Sequence, residues 1–159
     1  MMAQPSGAIF SPCGKYRWLL WRYWGPGKAF AHFNGLNPST ANETEDDPTI
    51  RREVGFCKSW GMDGLVKTNM YGFKATNPKV MQAEPDPVGI DNDFWIALAA
   101  ASSAMPYSVA CWGVNAERSR QIALRRMLTW RTFGLTKDGF PKHPLYLKAT
   151  TPLIEWPTE

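Results

Sequence analysis

Cysteine and histidine are scarce in this sequence. Its 159 residues include three cysteines and two histidines, and no Cys-x-x-Cys spacing occurs. The composition therefore supports neither a disulfide framework nor a Cys/His zinc site. The first ten residues also lack the basic and apolar regions of a signal peptide. We expect a cytoplasmic protein with reduced thiols, without a metal and without a cofactor.

Strong net charge and a clear membrane span are lacking too. The net charge is +4, which permits a polyanionic partner without requiring one. Residues 94–112 carry no charge over a length close to that of a membrane span,. Their many Ala and Ser residues, and the interruption at Pro106, favour a helix followed by a short strand. We therefore predict that the chain does not associate with a membrane.

Apolar and aromatic residues, by contrast, are plentiful. They make up 44% and 13% of the chain, respectively, and this composition predicts a packed globule. A chain of this length is long enough for one sizeable core and too short for two comfortable domains. We predict a single domain over residues 1–159, with residues 1–14 as a flexible or peripheral N-terminus.

Strand-like and helix-like segments alternate through the middle of the chain. Two strand-like segments come first and read as a hairpin or as adjacent strands, and Asp47-Pro48 then has the residues of a helix start. This order predicts an α/β fold, a three-layer α/β/α sandwich with a mostly parallel central sheet, preceded by an N-terminal hairpin. The predicted elements are strands at 15–24 and 28–36, a helix at 47–61, a strand at 64–73, a helix at 91–104, a strand at 107–113 and a helix at 115–130.

Polar residues follow two of the predicted strands. In a parallel sheet the ligand crevice lies beyond the carboxyl ends of the strands, so Asn37 would face it, with the hydroxyls of Ser39 and Thr40 nearby. An Asn-Pro-Ser turn that only ends the strand fits these residues equally well. At the next strand end, the Asn69 amide could read the edge of a base and Tyr71 could stack on it. A β-branched and aromatic strand end without any ligand is the alternative there.

Charged residues and a histidine supply further candidates. Asp46, in "ETEDDPT", could bind a metal or act as a general base, although a solvated acidic loop explains the run as well. His143, in "KHPLYL", could donate a hydrogen bond to a developing anion, or it could belong to a capped turn. Arg51 and Arg52 near the start of the first helix, and Lys142, are candidate contacts to a nucleic-acid backbone.

Several strings resemble a bacterial and phage family called domain of unknown function 1643, over about Lys15 to Trp156. The resemblance brings no settled activity with it. The strings are "GLNPSTAN", "DDPTIRR", "GFCKSWGMDGL", "TNMYGFKATNP", "DPVGIDND", "ACWG" and "GLTKDGFPKHPLYL".

Four short motifs also resemble the uracil-DNA glycosylase superfamily, in the same order along the chain: "FNGLNPS", "KTNM", "VACWG" and "KHPLY". This resemblance implies a three-layer α/β sandwich. It also implies that Asn37 positions a water or the sugar, that Asn69 reads a base edge and that His143 donates to the departing base anion. The sequence differs from that pattern at Ser39, where the superfamily has Gly, and at Leu145, where it has Ser. It also lacks the catalytic Asp that follows the first strand in the most active branch.

These observations lead to one hypothesis and two alternatives. The hypothesis is a nucleobase- or nucleotide-processing protein that resembles DNA glycosylases, with Asn37 and His143 as catalytic residues. The first alternative is a non-catalytic module that binds a nucleotide or nucleic acid. The second is a metal-dependent, phosphate-directed hydrolase that uses Asp46. The sequence leaves the substrate base and the oligomeric state open.

Overall fold

Seven strands, four α-helices and one 3-10 turn make up the part of the chain that this computed structural model describes, residues 5–26 and 29–157. The strands are β1 (Ser6–Phe10), β2 (Arg17–Tyr23), β3 (Phe30–Gly35), β4 (Gly64–Asn69), β5 (Ser108–Ala110), β6 (Trp130–Thr132) and β7 (Ile154–Glu155). The helices are α1 (Pro48–Ser59), α2 (Pro78–Ala83), α3 (Asn92–Ser102) and α4 (Arg118–Met127), and the 3-10 turn covers Pro144–Tyr146.

The strands form one mixed sheet in the order β1-β2-β4-β3-β5-β6-β7. The pairs β4–β3, β3–β5 and β5–β6 are parallel, whereas the outer pairs β1–β2, β2–β4 and β6–β7 are antiparallel. The α/β class is therefore confirmed. The parallel arrangement is limited to the four central strands, because the chain adds antiparallel strands at both edges of the sheet.

The predicted pairing of the segments at 15–24 and 28–36 is wrong, because β4 lies between β2 and β3. Every residue of β4 is buried, and a strand with this pattern belongs in the interior of a sheet with a neighbour on each side. The N-terminal hairpin is instead formed by β1 and β2, with Ser6 opposite Arg22. Within the segment 1–14, residues 6–10 thus form an edge strand of the sheet.

Two apolar clusters cover the two faces of the sheet. Alternate residues of a strand point to opposite faces, and at β5 Val109 packs into the first cluster while Ala110 packs into the second. The first cluster contains Ile50 and Phe56 of α1, and the second contains residues of α3 and α4. Helices therefore pack on both faces of the sheet.

All three predicted helices are present, with shifted ends. Helix α1 starts as predicted, because the Asp47 carboxylate accepts a hydrogen bond of 2.9 Å from the Ile50 N–H. Helix α4 begins at Arg118 rather than at Asn115, and the chain has already entered β6 at Trp130. Helix α2 was not predicted, although Asn77-Pro78 starts it in the same way as Asp47-Pro48 starts α1. None of the helices in residues 5–26 and 29–157 combines the length and apolarity needed to cross a membrane.

Candidate functional site

A cavity of about 490 Å³ lies at the carboxyl ends of the central parallel strands. Its walls come from the end of β3, the end of β4, the segment after β5, the start of α1 and the turn at 143–146. Asn37, Asn69 and His143 all line it, as does Ser39. Asn37, Asn69 and His143 are far apart in the sequence and meet here because parallel strands place their exits at one edge of the sheet.

The Asn37 side chain is oriented by backbone carbonyl groups. Its Nδ2 donates to the carbonyl oxygen of Ala75 over 2.8 Å and to that of Pro38 over 3.1 Å. Both donors of the amide thereby have acceptors, and the loop after β4 is tied to the loop after β3. Within the described residues, no hydrogen bond reaches Oδ1, so Asn37 offers an acceptor at the cavity.

The Asn69 side chain offers a hydrogen-bond donor to the cavity, whereas Asn37 offers an acceptor. Its Oδ1 accepts a hydrogen bond of 3.2 Å from Nη2 of Arg17, which leaves Nδ2 as the donor that Asn69 offers to a ligand. The backbone at this position is fixed as well, because Asn92 Nδ2 donates to the Asn69 carbonyl over 2.9 Å. Asn69 therefore suits an acceptor on the ligand, such as a carbonyl oxygen or a ring nitrogen.

His143 is held as a neutral imidazole with a defined tautomer. Its Nδ1 accepts a hydrogen bond of 3.2 Å from the Leu145 N–H, so the ring proton resides on Nε2. Burial, together with the positive charge of Lys67, lowers the pKa of His143 to about 4. The loop that carries His143 is joined to the end of β5, since the Gly113 N–H donates to the Pro141 carbonyl over 2.9 Å. His143 can therefore donate from Nε2 at neutral pH.

Two candidate residues, Asp46 and Thr40, do not line this cavity. The Asp46 carboxylate accepts from Nε of Arg22 over 2.8 Å, and this ion pair accounts for its position. Thr40 is exposed. The carboxylate that does line the cavity is the neighbouring Asp47, whose Oδ1 caps α1. In the described part of the chain, no group of three or more His, Cys, Asp and Glu side chains could hold a metal ion.

The remaining candidates also lie away from the cavity. Tyr71 is buried, and its hydroxyl accepts from the Glu117 N–H over 3.0 Å, so its ring is part of the core. Arg51 donates to the Asp46 carbonyl over 2.8 Å, and the Arg52 guanidinium lies 5.2 Å from the Phe56 ring centre. Lys142 is exposed next to Gly134.

Two buried cations that were not predicted, Arg17 and Lys67, line the cavity. Lys67 forms an ion pair with Glu53 of α1. Burial raises the pKa of Glu53, and the adjacent ammonium opposes this effect. Burial also tends to lower the pKa of Lys67, but Cys111 and Glu53 outweigh it and leave that pKa raised. One feature of the sequence could have predicted this ion pair. Glu53 follows Ile50 by three residues and precedes Cys57 by four, so its carboxylate lies on the apolar stripe of α1.

Aromatic residues form part of the cavity lining as well. Trp112 is buried, and its indole Nε1 donates to Gln121 over 2.9 Å. Tyr146 is 90% exposed and still lines the cavity, which places a solvated aromatic ring at the opening. It follows His143 by three residues in "KHPLYL", where only Lys142 and His143 were predicted to be site residues.

One family matches this chain, described as "Protein of unknown function (DUF1643)", and the match covers residues 17–145. No curated protein and no solved structure matches the chain. The matched range includes β2 through His143, and thus nearly all of the residues that form the cavity. Since the match extends over most of the sequence, the protein belongs to the DUF1643 family.

Proposed function

We propose that this protein processes a nucleobase or nucleotide by cleaving the bond between base and sugar, on a three-layer α/β/α sandwich of the uracil-DNA glycosylase type. The observation that carries the proposal is the convergence of Asn37, Asn69 and His143 around one cavity at the strand exits. The cavity volume of about 490 Å³ is within the range of roughly 300–1,000 Å³ that is usual for small-ligand sites.

The polar groups of the cavity match the needs of such a reaction. When the bond between base and sugar breaks, the bonding electrons remain on the base, and negative charge develops on its carbonyl oxygen and ring nitrogens. The Nε2–H of the neutral His143 imidazole donates to this charge. A donor of this kind, aimed at a developing anion, contributes about 3 kcal/mol of transition-state stabilisation.

The two asparagines then have complementary tasks. Asn37 offers the acceptor Oδ1, which holds a water or a sugar hydroxyl by its hydrogen. Asn69 offers Nδ2 to an acceptor on the base edge. Tyr146 at the opening can stack on a flat heterocycle. If the substrate is duplex DNA, the target base must leave the stack before it enters the cavity, at a cost of a few kcal/mol.

The test is single-turnover cleavage of oligonucleotides that carry uracil or modified bases, with abasic sites as the readout. We expect His143→Ala and Asn37→Ala to abolish cleavage. Each variant should also lower the free energy of unfolding by about 1 kcal/mol. His143→Ala loses the hydrogen bond from the Leu145 N–H, and Asn37→Ala loses the one to the Ala75 carbonyl. Thr40→Ala is the matched control and should cleave like the wild type. Wild-type turnover in either cavity variant would remove the assignment.

The second candidate is a non-catalytic module that binds a nucleotide or nucleic acid in the same cavity. The observation that favours it is that Asp47 caps α1. The described cavity lining therefore contains no carboxylate dedicated to activating a water molecule. Ser39 also replaces the glycine that would allow close approach of the backbone. The same oligonucleotide panel separates the two functions, because a binding module shifts the probe but produces no abasic site.

A further inference from the structure

Arg17 is a buried cation at the cavity without a matching carboxylate. Its side chain is 3% exposed, and it lines the cavity wall. It donates to the Ala41 carbonyl over 2.9 Å and to Asn69 Oδ1 over 3.2 Å, while its Nε has no acceptor. Within residues 5–26 and 29–157, no carboxylate lies at ion-pair distance from it. Burial lowers the pKa of Arg17 to about 10, an effect that Asp47 and Glu53 oppose from a greater distance, so the guanidinium stays charged.

A second observation concerns the space beside Gly35. A Cβ placed on this residue would lie 2.7 Å from Nζ of Lys67 and 3.0 Å from Nδ2 of Asn69. Both nitrogens therefore pack close to the Gly35 backbone and lie near each other, an approach that a side chain at residue 35 would block. All three residues line the cavity. A ligand oxygen in the cavity, placed against this part of the wall, can therefore accept from two N–H donors.

The charges around these donors leave a local excess of positive charge. Glu53 balances Lys67 in a direct ion pair. Asp47 is the single carboxylate among the described residues that line the cavity, and its Oδ1 is engaged by the Ile50 N–H. Arg17 is left without a direct counter-charge, and a buried charge is costly unless it is paired.

We propose that Arg17, Lys67 and Asn69 form a subsite for an oxyanion, a phosphate or carboxylate group carried by the ligand of the cavity. The inference rests on the proposed function, since it specifies the substrate class of the same site: a nucleotide or an acidic base rather than a neutral nucleoside. The oxyanion accepts from Lys67 Nζ and Asn69 Nδ2, the two donors that lie next to Gly35 in the cavity wall. It also supplies the negative charge that Arg17 lacks. Hydrogen bonds to charged groups contribute about ten- to one-hundredfold in affinity.

The experiment measures binding by calorimetry for two pairs of ligands, each a neutral compound and its anionic counterpart. One pair is a nucleoside and its 5′-monophosphate, and the other is uracil and 6-carboxyuracil; inorganic phosphate is titrated alone. The variants are Arg17→Met and Gly35→Ala, whose added methyl group would displace the two donors. Arg22→Met is the control, because Arg22 is also buried but lies outside the cavity.

We expect one anionic ligand to bind at least about tenfold more tightly than its neutral counterpart in the wild type. This preference should fall below about threefold in Arg17→Met and in Gly35→Ala and persist in Arg22→Met. A preference in the first pair assigns the oxyanion to phosphate, and one in the second pair assigns it to carboxylate. The use of two cavity variants keeps the test valid if one of them fails to fold.

The failure of this inference can be told apart from the failure of the proposed function. If neutral ligands bind and the anionic ones gain nothing, the subsite is refuted while the base-handling function stands. If the anionic preference exists but His143→Ala and Asn37→Ala cleave normally, the function is refuted and the subsite stands. If neither the ligands nor inorganic phosphate bind, both are overturned.

Discussion

The buried Lys67–Glu53 ion pair gives the sharpest prediction about stability. Glu53 is fully buried, Lys67 is 3% exposed, and one carboxylate oxygen of Glu53 has no hydrogen-bond partner in the described chain. Glu53→Gln keeps the shape of the side chain but removes its charge. The Lys67 ammonium then remains in the core without a counter-charge.

The magnitude follows from the geometry of this pair. Two unit charges in hydrogen-bond contact, about 3 Å apart, attract each other by about 5 kcal/mol at an effective dielectric constant of about 20. Removal of one partner from a buried pair typically costs about 3–5 kcal/mol. We expect Glu53→Gln to lower the free energy of unfolding by this amount. The double variant Lys67→Met/Glu53→Leu, which removes both charges, should recover most of the loss.

The assay is urea denaturation at pH 7, followed by tryptophan fluorescence. Asp46→Asn is the matched control, because it removes a carboxylate from a pair in which Asp46 is 31% exposed. Arg22 would keep its hydrogen bonds to backbone carbonyls, so the loss should stay below about 1 kcal/mol. A loss of less than 1 kcal/mol in Glu53→Gln as well would show that the reasoning about the buried pair is incorrect.

Two further predictions concern pH and the cavity opening. His32 is buried, its two ring nitrogens lie 2.7 Å from the Ser108 and Thr68 hydroxyls, and burial lowers its pKa to about 3. This pKa is lower in the folded chain than in the unfolded chain, so the stability that neutral His32 contributes is present above about pH 6.5. It is lost as the pH falls, by about 1.4 kcal/mol per pH unit. His32→Gln should make the free energy of unfolding depend less on pH in denaturation curves recorded from pH 7 to pH 4. Tyr146→Ala should leave the melting temperature unchanged, since the ring is exposed. It should weaken binding of a nucleobase ligand by about 1–3 kcal/mol. Unchanged affinity in a titration would exclude a stacking role for Tyr146.

The sequence was sufficient to predict the alternation of strands and helices and the meeting of Asn37, Asn69 and His143. Both predictions depend on local patterns combined with one general rule about strand exits. The order of the strands was not accessible in this way, because nothing in the segment 15–24 indicates that β4 separates it from β3. Strand order depends on long-range packing, and here the fully buried β4 takes an interior position.

The buried cations show a second limit of prediction from the sequence. A lysine in a strand and an arginine in an aromatic stretch are usually solvated, so Lys67 and Arg17 gave no reason to expect burial. Glu53 was the informative residue, because a carboxylate on the apolar stripe of a helix requires a partner inside the core. Asp46 was predicted to be a site residue, and it does not line the cavity. Its acidic neighbours suggested a site, but in the fold it pairs with Arg22 at a distance from the cavity.

The cavity walls come from seven segments of the chain, from Arg17 in β2 to the turn at 143–146. No short fragment carries the complete cavity, so it exists only when β2, β3, β4 and the loops that follow the central strands have assembled. A compound that fills it must therefore favour the native state over the unfolded state, by about 2.7 kcal/mol at a concentration one hundred times its Kd. Thermal-shift screening of metabolite and nucleotide libraries can thus report occupancy before any reaction is known.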